Sequence, residues 1–365
     1  MTAWTLANVG SPLLFLSVGH LYLGNLLIGW LEGSLISRWL GVPRTAAITW
    51  MIVANYMSAV VGAACFLWLG GQASEYFGET LRGGELRAYV AWVVSATFLL
   101  TCVIEFPLFV VSAVASPGRW SVRLRAHIGA QATSYAFMLL LYWWISPMSL
   151  AFEARFIEHP HDILRGDQGW VYYVHDRNGE LWRMRLDGSR KEAIGARVSV
   201  VDRSRFSCKL FARPRDGGGA DIVWGRDEFV TSTPGLAAPR PSDMSMEATS
   251  YNQAVEYPPA AVRAFSVQAG NFLESRVSFY YQDGEHAGTG RRRDLSLRSP
   301  IISWDASTPT ILPHGGVVAQ FGPYLLLMNE RFEVFCLGRG KCPAVVLDAP
   351  VTSPDSESPL SPQTP

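Results

Sequence analysis

Two acidic residues of this chain lie in or beside long apolar stretches, where an ionisable side chain needs a chemical reason. Glu32 follows the run PLLFLSVGHLYLGNLLIGWL, and Glu105 lies within TCVIEFPLF. A carboxyl group in apolar surroundings is costly unless it is paired, protonated or hydrogen-bonded, and such groups are typical of proton, cation or polar-substrate sites. The favoured interpretation is structural, with a protonated or hydrogen-bonded carboxyl tying neighbouring helices together.

Three further polar residues lie at related positions along the apolar stretches. Asn25 precedes Glu32 by seven residues, which places both on one face of a helix. At ~1.5 Å per residue, Glu32, Asn55, Glu105 and Tyr135 lie roughly 9–16 Å from the arginine-rich ends of their stretches. We therefore expect these four residues to converge in one half of a helical bundle.

The apolar stretches also carry stripes of polar or small residues, as the inward faces of a bundle should. The stripes are Asn55, Ser58 and Gly62 in the second stretch; Thr97, Thr101 and Glu105 in the third; and Gln131, Ser134, Tyr135, Met138 and Tyr142 in the fourth. Each stripe predicts the face that one helix turns toward the others.

The elements that must position these residues are four mostly apolar stretches, since a bilayer-spanning helix needs about 20 such residues. The stretches cover residues 12–31, 46–70, 88–115 and 127–150. The chain has 31 basic and 31 acidic residues, of which only 12 lie in residues 1–150. This division excludes a single soluble globular domain. We predict a four-helix transmembrane domain over residues 1–152.

The distribution of arginine predicts the orientation of that domain. The first and third connections between the stretches carry five arginines, whereas the second carries two among three glutamates. Because basic residues are enriched in cytoplasmic loops, we expect both termini and residues 151–365 to lie outside the cytoplasm. Three lysines against 28 arginines is a composition associated with GC-rich bacterial genomes. The predicted location is therefore the bacterial inner membrane, as a multi-pass protein.

After Phe152 the sequence changes to short β-branched and aromatic runs separated by turn residues. The segment GWVYYVHDRNGELWRMRLDGS holds two such runs around Asn178-Gly179, which is a strong hairpin signal. No later segment has a convincing helical period. We predict an all-β domain over residues 169–349.

Three other segments complete the predicted organisation of the chain. Residues 153–168 are expected to be a juxtamembrane linker. Residues 231–262 contain five prolines and scattered serines, and we expect an irregular loop there. The Pro/Ser-rich segment 350–365 is expected to be a disordered tail.

Residues 169–189 resemble the strand-pair repeat of TolB-type β-propellers, in which a short strand, Asp-x-x-Gly and an aromatic strand ending in Asp-Gly-Ser recur. The resemblance implies a binding surface rather than a catalytic one. A propeller blade takes about 40–45 residues, so residues 166–349 have room for at most about four blades. A propeller-like fold, a sandwich and a small barrel therefore stay open as alternatives.

Two smaller groups of residues are candidates for covalent or metal chemistry. Cys336 and Cys342 are separated by a hairpin-sized gap, and a disulfide between them would suit an oxidising exterior. His159 and His161 form a His-x-His pair with flanking acids and are a candidate metal site, although a polar linker is the favoured interpretation.

No catalytic or cofactor-binding motif stands out in the sequence. Gly-x-Ser-x-Gly, a phosphate-binding glycine loop, His-Glu-x-x-His and a dinucleotide fingerprint are all missing from it. The histidines His20 and His127 of the first and last spans should lie most of a bilayer apart, which argues against a haem held between them. We therefore favour a non-enzymatic function and predict no cofactor.

Two functional hypotheses follow from this organisation. In the first, an extracytoplasmic β-domain binds or scaffolds, in an accessory subunit of a membrane complex or in an envelope sensor. In the second, the chain is a small transporter or an ion- or proton-conducting subunit that uses the intramembrane Glu and Asn residues. The expected partners are the lipid bilayer and other membrane or periplasmic subunits. Nucleic acid is not expected, because the net charge is zero and there is no clustered basic surplus.

Overall fold

The computed structural model separates the chain into a helical N-terminal part and a β-rich C-terminal part. The residues it describes are 20–69, 76–114, 119–145, 148–175, 178–197, 210–215, 219–224, 228–233, 236–237, 255–256, 265–269, 276–281, 292–298, 303–304 and 306–348. This confirms the predicted change from helix to strand near residue 152.

The helical part consists of long helices joined by short connections. The helices of the described chain are α1 (Asn25–Leu40), preceded by a π-helical turn (His20–Gly24), α2 (Arg44–Leu69), α3 (Gly83–Ala113), α4 (Trp120–Ile145), and the short α5 (Ser149–Phe152) and α6 (His161–Leu164). Two stretches, Arg44–Gly62 in α2 and Gly83–Ala113 in α3, are long and apolar enough to cross a membrane.

The helix ends differ from the predicted spans. The described part of the first helix runs on to Leu40 instead of ending at residue 31, and α4 begins at Trp120 instead of residue 127. Hydropathy marks where a helix can contact lipid, but caps and breakers set where it ends. Gly41 ends α1 in the left-handed conformation, and its N–H donates to the Ser37 carbonyl over 2.9 Å. Residues 12–19 lie outside the described residues.

The β-rich part contains short strands from residue 155 to residue 348. They are β1 (Arg155–Phe156), β2 (Gly169–Val174), β3 (Glu180–Arg185), β4 (Glu192–Arg197), β5 (Leu210–Pro214), β6 (Ala220–Trp224), β7 (Glu228–Thr233), β8 (Leu236–Ala237), β9 (Val255–Glu256), β10 (Phe265–Ala269), β11 (Arg276–Tyr281), β12 (Arg292–Arg298), β13 (Ser303–Trp304), β14 (Ala306–Ile311), β15 (Val317–Phe321), β16 (Tyr324–Met328), β17 (Glu333–Arg339) and β18 (Lys341–Asp348). The predicted hairpin around Asn178-Gly179 is confirmed as the antiparallel pair β2–β3.

The strands form four sheets in the described part of the chain. Sheet A has the order β1-β17-β16-β15-β14-β9, and sheet B the order β4-β3-β2-β18-β8. Sheet C is β5-β6-β7, and sheet D is β10-β11-β12-β13. No closed barrel and no propeller is seen in these residues.

Apolar side chains pack sheet D on sheet A, sheet A on sheet B and sheet B on sheet C. In β16, Tyr324 belongs to the core between sheets D and A, and Leu325 to the core between A and B. In β2, Tyr173 lies between A and B, and Tyr172 between B and C. Successive side chains of a strand point to opposite faces, so a sheet that is buried on both faces needs an unbroken apolar strand. This explains the runs YLLLM and VYYV.

The segment predicted as a linker, 153–168, is instead built into the β-rich part. Strand β1 pairs in parallel with β17 at the edge of sheet A. The side chains of Ile163 and Leu164 in α6 are buried in the core between sheets A and B. Within the predicted loop 231–262, strand β7 ends and β8 and β9 are short strands, while its other residues and the segment 349–365 lie outside the described residues.

The β-rich part is docked on the connection between α2 and α3. Phe77 and Leu81 of this connection share a core with Tyr324 and other residues of sheets A and D. The Tyr324 hydroxyl donates to the carbonyls of Phe77 and Gly78, over 2.9 and 2.8 Å. The Leu81 N–H donates to Cys336 Sγ over 3.1 Å. The two parts are therefore joined by a specific, buried contact.

A second contact holds the chain directly after α4. The Ser149 hydroxyl, at the start of α5, donates to the Asp294 carbonyl over 2.7 Å. The Ser296 N–H in turn donates to Ser149 Oγ over 2.9 Å. Strand β12 is thus fixed to the end of the helical part through backbone groups of sheet D.

Replacing Tyr324 with Phe should loosen the docking without unfolding either part. The change removes the hydroxyl that serves two carbonyls, and a buried group left without its partner costs about 1–3 kcal/mol. We expect faster amide hydrogen exchange in residues 76–90, measured by mass spectrometry in detergent. Tyr76→Phe, which removes an exposed phenol from the same connection, is the matched control. Equal exchange in both variants would show that the Tyr324 hydroxyl does not hold the contact.

Candidate functional site: a buried carboxyl pair in the helical part

Helix α1 lies very close to α2 because two glycines replace side chains at the contact. A Cβ at Gly29 would lie 2.6 Å from Ile52 Cα, and a Cβ at Gly33 would overlap the backbone at Ile48. Small residues four apart allow helix backbones to approach in this way. This approach brings Glu32 of α1 against Asn55 of α2.

The Glu32 carboxyl is fully buried and accepts hydrogen bonds from two other helices. Asn55 Nδ2 of α2 donates to Oε2 over 2.7 Å. The Ser134 hydroxyl of α4 donates to Oε1 over 2.5 Å. The Asn55 amide is also held by its own helix, because Nδ2 donates to the Met51 carbonyl over 3.0 Å.

The Glu105 carboxyl of α3 is also fully buried and has matching partners. The Ser58 hydroxyl of α2 donates to Oε1 over 2.6 Å. Gln131 Nε2 of α4 donates to Oε2 over 2.5 Å. Each carboxyl therefore receives one amide and one hydroxyl, and both partners are neutral.

The spacing of the partners explains how two helices serve both carboxyls. Asn55 and Ser58 are three residues apart on α2, and Gln131 and Ser134 are three apart on α4. Residues at this spacing share a helix face. We use the name carboxyl network for six residues, namely Glu32, Asn55, Ser58, Glu105, Gln131 and Ser134.

The carboxyl network lacks a positive charge within the described residues. Neither Glu32 nor Glu105 takes part in an ion pair there. Two ionised carboxylates at this site would each carry a desolvation cost of several kcal/mol with no counter-charge. The network therefore calls for neutralisation by at least one bound proton or cation.

One atom of the network and one of its neighbours are buried without a hydrogen-bond partner. These atoms are Gln131 Oε1 and His127 Nδ1, which lie one turn apart on α4. The other ring nitrogen of His127, Nε2, is 3.0 Å from the Cys102 carbonyl and so carries the hydrogen. In the neutral imidazole, Nδ1 is then an acceptor that lacks a donor, and the same holds for Gln131 Oε1.

The structure brings together three of the five residues predicted for this site, namely Glu32, Asn55 and Glu105. Tyr135 lies beside the network, with its hydroxyl 2.9 Å from Thr101 Oγ1. Asn25 is buried on the Glu32 face of α1, but two helical turns, ~10 Å, away along the axis.

Sequence reasoning missed the direct partners of the two acids. Ser58, Gln131 and Ser134 belong to the predicted inward stripes, but nothing in their residue types marked them as carboxyl donors. The Gly29-x-x-x-Gly33 spacing was the signal that could have predicted the close contact of α1 and α2.

The structure does not contain the predicted disulfide. Cys336 and Cys342 are not joined, because the chain does not turn back in a hairpin between them. Instead it leaves sheet A after β17 and enters sheet B as β18. Burial raises the pKa of the Cys336 thiol to about 11, which keeps the sulfur protonated at neutral pH.

The His159 and His161 side chains are exposed at the entrance to α6. No group of three or more His, Cys, Asp or Glu residues with metal-binding geometry occurs among the described residues. The carboxyl network, whose acids are buried and hydrogen-bonded, is therefore a better candidate site than the exposed His-x-His segment.

Comparisons with protein-family models, with curated proteins and with solved structures find no match to this chain.

Proposed function

We propose that this chain is an integral membrane protein whose helical bundle binds protons at the Glu32–Glu105 pair, as a small proton-responsive or proton-conducting subunit. The observation that carries the proposal is the carboxyl network itself. Two acids are buried among neutral donors, where at least one positive charge must be supplied from outside. A proton is the cation that such a site can accept without a rearrangement of the surrounding side chains.

The distribution of apolar side chains supports four membrane spans. The helices expose large apolar side chains, including Leu23, Val60, Val103 and Leu140, at 64–73% of their surface. Their most polar residues are buried between the helices. An exposed apolar surface around a polar interior is what a bilayer requires, whereas water would favour the reverse.

The docking contact supports the proposed orientation. The α2–α3 connection lies against the β-rich part, so the α1–α2 and α3–α4 connections are at the opposite ends of these helices. Arg38, Arg44, Arg119, Arg123 and Arg125 are near those opposite ends, and basic residues favour the cytoplasmic side. This distribution supports a β-rich part outside the cytoplasm, and we propose the bacterial inner membrane as the location of the protein.

Topology can be tested with a pair of introduced cysteines in spheroplasts. Arg331→Cys lies at an exposed position of the β-rich part, and Arg119→Cys at an exposed position near the opposite end. A membrane-impermeant thiol reagent should label the first and not the second, as read by mass spectrometry of each peptide. Labelling of Arg119→Cys alone would contradict the proposed orientation and support the opposite one.

The proton-conducting role predicts a proton flux that depends on the pair. The full-length protein in vesicles with an internal pH dye should carry protons when a potential is imposed, and Glu105→Gln should abolish this flux. Ser95→Ala, which removes an exposed hydroxyl from the same helix, is the matched control. A flux that persists in Glu105→Gln would contradict the conducting role.

A second function, binding or scaffolding by the β-rich part, is favoured by one separate observation. That part is fixed to the helices by a shared apolar core and buried hydrogen bonds rather than hung on a flexible linker. A ligand bound there would therefore act on α2 and α3 directly. Mass spectrometry of chains that co-purify with the tagged protein in mild detergent tests this role, and a lone monodisperse protein would count against it.

A further inference from the structure

We infer that the ligand of the carboxyl network is a proton rather than a metal cation, and that Ser134 and Ser58 act as hydroxyl rotors that let each carboxyl gain or lose it. This inference rests on the proposed proton-binding function and deepens it. It follows from what surrounds each carboxyl oxygen.

Each serine of the network has two acceptors within reach of one hydroxyl. Ser134 Oγ lies 2.5 Å from Glu32 Oε1 and 2.9 Å from the Gln131 carbonyl. Ser58 Oγ lies 2.6 Å from Glu105 Oε1 and 3.0 Å from the Asn55 carbonyl. A hydroxyl has one hydrogen and two lone pairs, so it can point to either acceptor.

The two acceptors define two states of each carboxyl. When Glu32 is ionised, the Ser134 hydroxyl donates to Oε1. When a proton from bulk water forms an O–H bond at Oε1, that bond donates to Ser134 Oγ, and the serine hydrogen turns to the Gln131 carbonyl. No covalent bond of the protein breaks, and no hydrogen bond is lost. Glu105 and Ser58 follow the same scheme with the Asn55 carbonyl.

The amide partners make the two carboxyls different. The Asn55 amide is pinned, because Nδ2 serves both Glu32 Oε2 and the Met51 carbonyl. Gln131 Oε1 is buried and accepts no hydrogen bond. A half-turn of the Gln131 amide would place Oε1 against Glu105 Oε2, where it could accept a proton held there. Glu105 therefore has two oxygens that can carry the proton, and Glu32 has one.

The same surroundings disfavour a metal cation. A hard cation needs several oxygen ligands around it. Each of the four carboxyl oxygens instead receives an N–H or O–H donor. A metal ion would need further oxygen ligands, and no group of three or more His, Cys, Asp or Glu residues that could hold one occurs among the described residues, whereas a proton requires only the rotation of a hydroxyl.

Other titratable groups near the pair are few in the described residues. Glu32 and Glu105 interact electrostatically with each other. Cys102 of α3 and Tyr135 of α4 are the other groups that interact with Glu105. His127 of α4 bonds the Cys102 carbonyl, and Tyr56 of α2 donates to the Tyr22 carbonyl. The assignment of a titration to the carboxyl pair therefore needs variants of the acids themselves.

Infrared difference spectroscopy of the purified full-length protein during a pH titration tests the inference. The carbonyl stretching band of a buried, slowly exchanging carboxylic acid should appear on acidification. Glu32→Gln and Glu105→Gln should each remove about half of the band, and the double variant all of it. A band that survives in the double variant would overturn the proposed proton site as well as the rotors.

The serines distinguish the rotors from a simple proton site. Ser134→Ala should move the Glu32 band to higher wavenumber and change the proton affinity of that carboxyl about tenfold, the equivalent of one pH unit. Ser134→Thr, which retains a hydroxyl, should have the band position and the proton affinity of the parent protein. Ser58→Ala should act in the same way on Glu105, and serves if Ser134→Ala does not fold.

Ser112→Ala is the matched control, because this buried serine of α3 donates to the Phe109 carbonyl over 2.7 Å and to no carboxyl. If Ser134→Ala and Ser58→Ala behave like Ser112→Ala while the acid variants still remove the band, the rotor inference is wrong and the proton site stands. Adding sodium or potassium chloride at constant pH should leave the band unchanged. A salt-dependent loss of the band would overturn the assignment to protons.

Discussion

Gly33→Ala should cost the protein about 3 kcal/mol of stability, at the upper end of the range for overpacking a well-packed contact. The added Cβ would overlap the backbone at Ile48 and Ala47 of α2. Backbone atoms cannot rotate away as a flexible side chain can, so α1 must move out. That movement would also stretch the hydrogen bond between Glu32 and Asn55.

The effect can be measured as thermal unfolding in mild detergent, followed by circular dichroism. Gly62→Ala on α2 is the matched control, since a Cβ there would have no atom within 4 Å. Alanine is a better helix former than glycine by roughly 0.5–1 kcal/mol, so this control should be neutral or slightly stabilised. If Gly33→Ala is as stable as Gly62→Ala, the close helix contact does not hold the bundle.

Glu105→Leu should destabilise the bundle by about 1–3 kcal/mol, because it removes the acceptor that the Ser58 hydroxyl and the Gln131 amide share. A buried donor that loses its partner costs about 1–3 kcal/mol. The Ser58 hydroxyl can turn to the Asn55 carbonyl, but the Gln131 amide is then left without any acceptor for Nε2. Most of the cost should therefore come from Gln131.

Glu105→Gln separates this structural cost from the loss of the ionisable group. The introduced amide can still accept from Ser58 and, after a half-turn of the Gln131 amide, donate to its unpartnered Oε1. We expect stability close to that of the parent protein. Ser95→Leu, at an exposed position of the same helix, should change stability by less than about 0.5 kcal/mol. Equal stability of Glu105→Leu and Glu105→Gln, measured by the same unfolding assay, would mean that the carboxyl does not organise the bundle.

Glu105→Gln distinguishes a purely structural role of the two acids from a proton-binding role. A network that only tied helices together would be satisfied by amides, so Glu105→Gln would preserve every property. A network that binds protons would keep its fold in Glu105→Gln but lose its flux and half of its carboxylic acid band. Stability and proton binding can therefore be measured in the same variants and compared.

Local pattern was enough to predict several features of this chain. The charge distribution separated a helical part from a β-rich part, since apolar helices and water-soluble strands need different compositions. Helical periodicity and depth predicted that Glu32, Asn55 and Glu105 would meet. Asn178-Gly179 predicted the β2–β3 hairpin, because a tight turn of this type is specified by its own residues.

Only the tertiary structure decided how those elements are put together. Cys336 and Cys342 are near in sequence, yet consecutive strands β17 and β18 enter different sheets. The segment 153–168 reads as a polar linker but adds a strand to sheet A, because the backbone N–H and C=O groups of a polar segment can also pair with a sheet edge. The donors of each carboxyl come from other helices, 23–102 residues away in sequence. Such contacts depend on helix packing, which Gly29 and Gly33 set through the side chains that they lack.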